Sequence, residues 1–251
     1  VVKNLKELMF HIFRPENLKV SFTAEKEQRE EMTGQIRNLK EKLYTQPVDK
    51  TGFVPCCEKK NEGFETAGQV QYVAQTGNFA KAGLKYTGAL CILKVALSYE
   101  YLWLNIRVKG GAYGCMSGFK RNGESYFVSY RDPNLRNTLE IYRGIPDFVR
   151  NFQSDERNLT KYIIGTISTK DTPKTPKMKG AVSRTAYYTG TTEEMIQKER
   201  DQILNAQVED IRALAPLIEE VLSQNQICVV GSEGEIEKEK ELFQEVKHLI
   251  S

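Results

Sequence analysis

The residues best suited to chemistry in this chain lie in the run 107-RVKGGAYG-114. Arg107 supplies a fixed cation and Tyr113 a neutral phenolic donor, and Gly110 and Gly111 stand between them. Both side-chain types suit a developing oxyanion, because charge-assisted and preorganised donors stabilise charge where it appears. A backbone without side chains at Gly110 and Gly111 would let another chain approach closely, as an extended peptide does when it adds to a strand. A structural account of the same residues also exists: a glycine stop to a helix, entry into a hairpin, and Tyr113 packed on a sheet. A phosphate cradle fits poorly. GGAYG follows a helical pattern and precedes a strand pattern, whereas phosphate loops run from strand into helix.

Other reactive residue types carry weaker signals. The five cysteines (Cys56, Cys57, Cys91, Cys115 and Cys228) are odd in number and irregularly spaced, which suits a reducing compartment better than a disulfide framework. The adjacent pair Cys56-Cys57 has no second pair to complete a zinc site and reads as a buried or loop pair. The two histidines are His11, in the apolar run 8-LMFHIF-13, and His248, near the end of an expected C-terminal helix. No HxxH, HExxH or HxxEH spacing occurs, so no metal ligands are assigned. The basic, proline-containing stretch 170-KDTPKTPKMKG-180 reads as a solvated loop. Its anion-binding alternative, running from Lys170 to Lys179, lacks the interleaved aromatics that stack bases.

These residues need a scaffold, and 251 residues with 40% hydrophobic content can bury a sizeable core. A formal net charge of +3 is small for this length and argues against a nucleic-acid partner. No apolar run reads as long enough to cross a bilayer, and 1-VVKNLKELMF lacks the pattern of a secretion signal, so no membrane partner is expected.

Periodicity predicts a strand over Leu18–Phe22 followed by a charged helix to Leu43. It predicts a further strand over 68-GQVQYVAQTG-77 and a long helix from Tyr86 to Ile106, with Leu90, Leu93, Leu97, Tyr101 and Leu104 on one face. The segments 112-AYGCMSGFK-120 and 124-ESYFVSYR-131 flank 121-RNG-123 and form the clearest hairpin. Helices follow over Leu135–Phe152, after the break Asp132-Pro133-Asn134, over 155–168, from Thr192, and over Val208–Ser223 with a kink at Pro216. A strand at Ile227–Val230 leads into a helix carrying Leu242, Phe243, Val246, Leu249 and Ile250. This strand-then-helix ending repeats the plan of residues 17–43 and suggests two related domains. The stretch 45-TQPVDKTGFVPCCEKKNEG-63 reads as a linker. The expected class is α+β, an antiparallel or mixed sheet with helices packed on one face.

The run YLWLNIRVKGGAYG, the hairpin after it, 131-RDPNLRNTLEIYRGIPDFVRNF-152 and 190-GTTEEMIQKERDQILNAQVEDIRALA-215 together resemble the C-terminal part of the presequence proteases. These are zinc metallopeptidases of the insulinase/pitrilysin class. The resemblance implies an insulinase-like domain over residues 62–251, a linker at 45–61, and the end of a preceding homologous domain at 1–44. It also implies that Arg107 and Tyr113 reach a scissile peptide as catalytic and substrate-binding residues, and that Gly110 and Gly111 leave room for the substrate. The partners implied are the N-terminal half of the same enzyme and short unfolded peptides. The cofactor implied is zinc, whose HxxEH ligands belong to that other half and are absent here, so this chain alone is expected to be inactive. The expected compartment is the cytoplasm, or an organelle lumen in a eukaryote. The competing expectation is a non-catalytic scaffold or peptide-binding domain of the same fold.

Overall fold

The computed structural model describes residues 1–48, 52 and 58–249. The adjacent cysteines Cys56 and Cys57, part of the linker at 45–61, and Ile250 lie outside them. The chain divides into two compact units, one of Val1–Cys57 with Pro173–Thr192 and one of Glu58–Thr172 with Glu193–Ser251.

The larger unit is built on a six-stranded mixed sheet: β1 (Glu62–Thr66), β2 (Gln71–Asn78), β3 (Gly114–Phe119), β4 (Glu124–Asp132), β5 (Gln226–Ser232) and β6 (Glu245–His248). Their spatial order is β3-β4-β2-β5-β1-β6. β1 runs parallel to both β5 and β6, and the other pairings are antiparallel. Period-two burial makes one face apolar: Val73, Phe127, Ile227 and Val229 are buried, whereas Tyr72 and Met116 on the other face are exposed. The expected α+β class with a mixed sheet is what the structure shows.

The helices are α1 (Val2–Ile12), α2 (Arg29–Glu41), α3 (Ala89–Ala96), α4 (Arg136–Arg143), α5 (Ile145–Arg150), α6 (Glu156–Lys170), α7 (Pro176–Thr189), α8 (Glu193–Leu204), α9 (Val208–Arg212), α10 (Ala215–Ser223) and α11 (Glu233–Lys238). α1, α2 and α7 belong to the smaller unit, and none of them has a buried residue. Leu5, Leu8, Met9, Ile12 and Phe13 of that unit are exposed.

α3 continues without a break into a wide helix, Leu97–Lys109, hydrogen-bonded i to i+5. The long helix expected from Tyr86 to Ile106 is therefore present, but its face slips beyond Leu97. The buried positions become Leu102 and Ile106, while Leu104 is 42% exposed, because a wider turn holds more residues than the 3.6 on which the prediction rested. By length and composition Ala89–Lys109 would also suit a membrane span, which corrects the expectation that no run is long enough. Leu90, Ile92, Leu93, Leu97, Leu102 and Ile106 are nevertheless buried in the core, so it serves as the core helix of this unit.

Four further expectations are corrected. Residues 18–25 take no regular structure and form no ladder with any described residue, so the strand predicted at Leu18–Phe22 is absent. Of the basic stretch 170–180, Lys170 still belongs to α6 and only 171–175 form a loop. There the Thr175 hydroxyl accepts a hydrogen bond from the Met178 N–H, and Pro176 opens α7, so Thr-Pro is a helix start. The C-terminal helix stops at Lys238, and Val246 and His248 lie in β6 beside β1. β1 itself was read as linker at its start. Gly63 suits the strand because Ile236 and Phe243 press onto it, 3.0–3.3 Å from where a Cβ would stand. The hairpin turn is tied down by Glu199 of α8, whose buried carboxylate pairs with Arg121 and Lys170.

Candidate functional site

The end of the wide helix delivers Arg107, and a tight bend then turns the chain into β3. The Gly111 N–H donates to the Arg107 carbonyl at 3.0 Å, and the Ala112 N–H to the Ile106 carbonyl at 3.1 Å. Gly111 has φ +80°, in the left-handed region where glycine is unstrained. At Gly110 a Cβ would stand 2.5 Å from the Ile106 carbonyl oxygen, so close approach of backbone excludes a side chain. The bend is braced from the far end of β4. Asn134 donates through Nδ2 to the Gly110 carbonyl at 2.6 Å, and the buried Asp132 carboxylate accepts from the Asn134 N–H at 2.9 Å and the Thr138 hydroxyl at 2.7 Å. The Asp132-Pro133-Asn134 run, read from sequence as a helix break and cap, thus also holds the glycine bend.

Tyr113 follows directly and is 60% exposed. Its N–H donates to the Arg131 carbonyl at 3.2 Å, and its ring has two neighbours from β4. The Tyr130 ring is 5.4 Å away, tilted by 58°, and the Arg131 guanidinium stands 5.6 Å over the Tyr113 ring. Gly114 makes room for Tyr130, whose ring atoms lie 2.5–2.9 Å from where a Gly114 Cβ would be. Arg107 stacks on Trp103, one turn back, with its guanidinium 3.9 Å from the ring centroid. Neither Arg107 nor Arg131 has a carboxylate partner among the described residues.

The four sequence-predicted residues are thus continuous along one helix-to-strand bend. Arg107 and Tyr113 are exposed to solvent in part and linked by that backbone; no side-chain hydrogen bond or cation–π contact joins them among the described residues. Sequence reading missed Trp103, Tyr130, Arg131 and Asn134. Trp103 had a signal, standing four residues before Arg107 on a predicted helix. Tyr130 and Arg131 fell at the end of the predicted hairpin, but the bulge that decides which of their side chains meets Tyr113 has no local signal. Two free guanidinium groups and an exposed phenol can donate hydrogen bonds to a group that gains negative charge.

Cys115 provides a probe of this region. Burial pushes its thiol from the ordinary 9.0 up to about 11, with Asp132 adding to the rise and Arg107 opposing it. The thiol is therefore protonated near neutrality. The stability gained by keeping it so is complete below pH 9 and is lost as pH rises through about 11. Arg107→Ala removes the opposing charge and should slow iodoacetamide labelling of Cys115 at a fixed alkaline pH, read by peptide mass spectrometry. Unchanged or faster labelling would place the guanidinium away from β3.

No group of three or more His, Cys, Asp or Glu side chains among the described residues could hold a metal. His248 instead pairs through Nδ1 with the buried Glu65 carboxylate at 2.9 Å. The donor set for zinc is not in the described part of this chain.

Residues 61–233 match the family described as the PreP C-terminal domain. The chain belongs to this family. It is 42% identical over 247 residues to Protein HypA of Clostridium perfringens, covering 98% of this chain and 25% of that protein. It is 36% identical over 192 residues to Presequence protease 1, chloroplastic/mitochondrial, of Arabidopsis thaliana, covering 75% of this chain and 18% of that protein. The chain therefore spans a quarter or less of the length of these curated relatives. Among solved structures, the peptidase M16 inactive domain from Pseudomonas fluorescens superposes with a TM-score of 0.52 at 13% identity, over 94% of this chain and 52% of that one. A protease from Helicobacter pylori superposes with a TM-score of 0.55 at 14% identity, over 92% and 58%. At such identities the superpositions show a shared fold, and the family match makes this a peptidase-related domain.

Proposed function

We propose that this chain is the C-terminal, substrate-facing part of a zinc-dependent metalloendopeptidase that degrades short unfolded peptides. Tyr113 would donate its hydroxyl to the carbonyl oxygen of the scissile bond. Arg107 would hold the substrate backbone or the oxyanion, and Gly110 and Gly111 would admit the peptide. The observation that carries the reading is the exposed Tyr113 and the unpaired Arg107 on one braced glycine bend, in a chain of the presequence protease family. The zinc ligands would belong to the N-terminal half, the proposed partner. Residues 1–44 would close a preceding domain, 45–61 would link, and 62–251 would form the last domain. The apolar side chains exposed on α1 support the first of these assignments. Residence in the cytoplasm is part of the reading. The relatives named mitochondrial and chloroplastic support an organelle lumen as the alternative.

A scaffold or peptide-binding role is the second reading. It is favoured by the fold's similarity to a solved structure named as a peptidase M16 inactive domain. Zinc analysis and peptide cleavage by the complete protein separate the two. The protease reading expects bound zinc and cleavage of a short unstructured peptide that a chelator abolishes, with neither property in this chain alone. A complete protein that binds no zinc and cleaves nothing would leave only the scaffold.

A further inference from the structure

We infer that Arg131 is a positioning residue for Tyr113, held in a strained backbone conformation for that purpose; this rests on the proposed role of Tyr113. β2 and β4 pair in register from Asn78↔Glu124 to Val73↔Ser129, but Gln71 then faces Asp132, so β4 carries an extra residue beside Tyr72. The extra residue is accommodated by a bulge at Arg131, whose φ is +49°. A left-handed conformation at a bulge is ordinarily given to glycine, and a side chain there is strained. Arg131 makes no ion pair or side-chain hydrogen bond with the described residues that would account for its selection. What the bulge does is turn Arg131 toward Tyr113. Its carbonyl receives the Tyr113 N–H at 3.2 Å and its guanidinium stands 5.6 Å over the Tyr113 ring, which also meets the Tyr130 ring at 5.4 Å. The backbone contact survives any substitution; the guanidinium contact is specific to arginine. Strain retained beside an exposed functional group is a known way of fixing its direction.

Arg131→Gly in the complete enzyme separates structure from function, because the two effects have opposite signs. Glycine relaxes the bulge, so Tm should stay level or rise. Loss of the guanidinium frees the phenol, so kcat should fall about 10-fold or more with little change in KM. In a Tyr113→Phe background the same change should cost nothing further, since there is no longer a hydroxyl to direct. Arg131→Lys, which keeps a charge but not the planar stack, should recover only part of the rate. A joint fall of Tm and kcat would make Arg131 merely structural. An unaltered kcat, or full additivity with Tyr113→Phe, would equally overturn the inference. If Tyr113→Phe alone is silent, the proposed function fails; if it is damaging and Arg131→Gly is not, only this inference fails.

Discussion

Replacing Tyr113 by Phe in the complete enzyme is expected to lower kcat by about 10²–10³, the loss typical of one oxyanion donor. Arg107→Ala should give a loss of similar order. The expectation follows from what the phenol does not do in the fold. Its hydroxyl makes no hydrogen bond to any described residue, and the side chain is mostly solvent-exposed, so removing one oxygen leaves every described contact in place. Tm should therefore hold while the rate falls, and KM should change little if the bond forms mainly in the transition state. Among the described residues Arg107 stacks on Trp103 and makes no ion pair, and such an exposed contact contributes little to stability. Steady-state kinetics on a short unstructured peptide, with thermal unfolding beside it, decides the matter. Near-wild-type kcat/KM in both variants would remove these residues from the reaction.

How much of this was legible beforehand depends on whether the signal is local. The hairpin at Asn122-Gly123 was readable because the turn needs positive φ, and Gly123 takes φ +89°. Alternation made β2 plain and an apolar run made β5 plain, and Arg107, Gly110, Gly111 and Tyr113 could be picked out because they fall within one seven-residue stretch. β1 was hidden, since Glu62-Gly63-Phe64-Glu65-Thr66 has little strand propensity. Its position between the parallel neighbours β5 and β6 makes it a strand. β6 was misread as helix for the same reason: Leu242, Phe243 and Val246 fit a helical spacing, but backbone pairing to β1 wins. The neighbours of Tyr113 were illegible for a stricter reason. Tyr130 and Arg131 lie seventeen or more residues away, and one extra residue in β4 decides where Arg131 points.

The same hairpin must be rigid for the bend to hold its place, and Phe127 is the side chain that anchors it. Fully buried on the packed face of β4, it meets Phe119 edge-on at 6.0 Å and Tyr142 at 5.9 Å. Tyr142 in turn donates to the Val73 carbonyl of β2 at 3.3 Å, so one ring ties β3, α4 and β2 together. Phe127→Ala should cost about 3–5 kcal/mol, because close packing leaves a cavity that the rings of Phe119 and Tyr142 cannot jointly fill. Met116, one residue from the same ladder but on the open face and 46% exposed, is the matched control. Met116→Ala should stay within about 0.5 kcal/mol. Denaturant midpoints for the two variants read the difference directly. Equal losses would mean that both faces of the sheet are packed around this hairpin, and the open face assigned through Met116 and Tyr72 would then have to be abandoned.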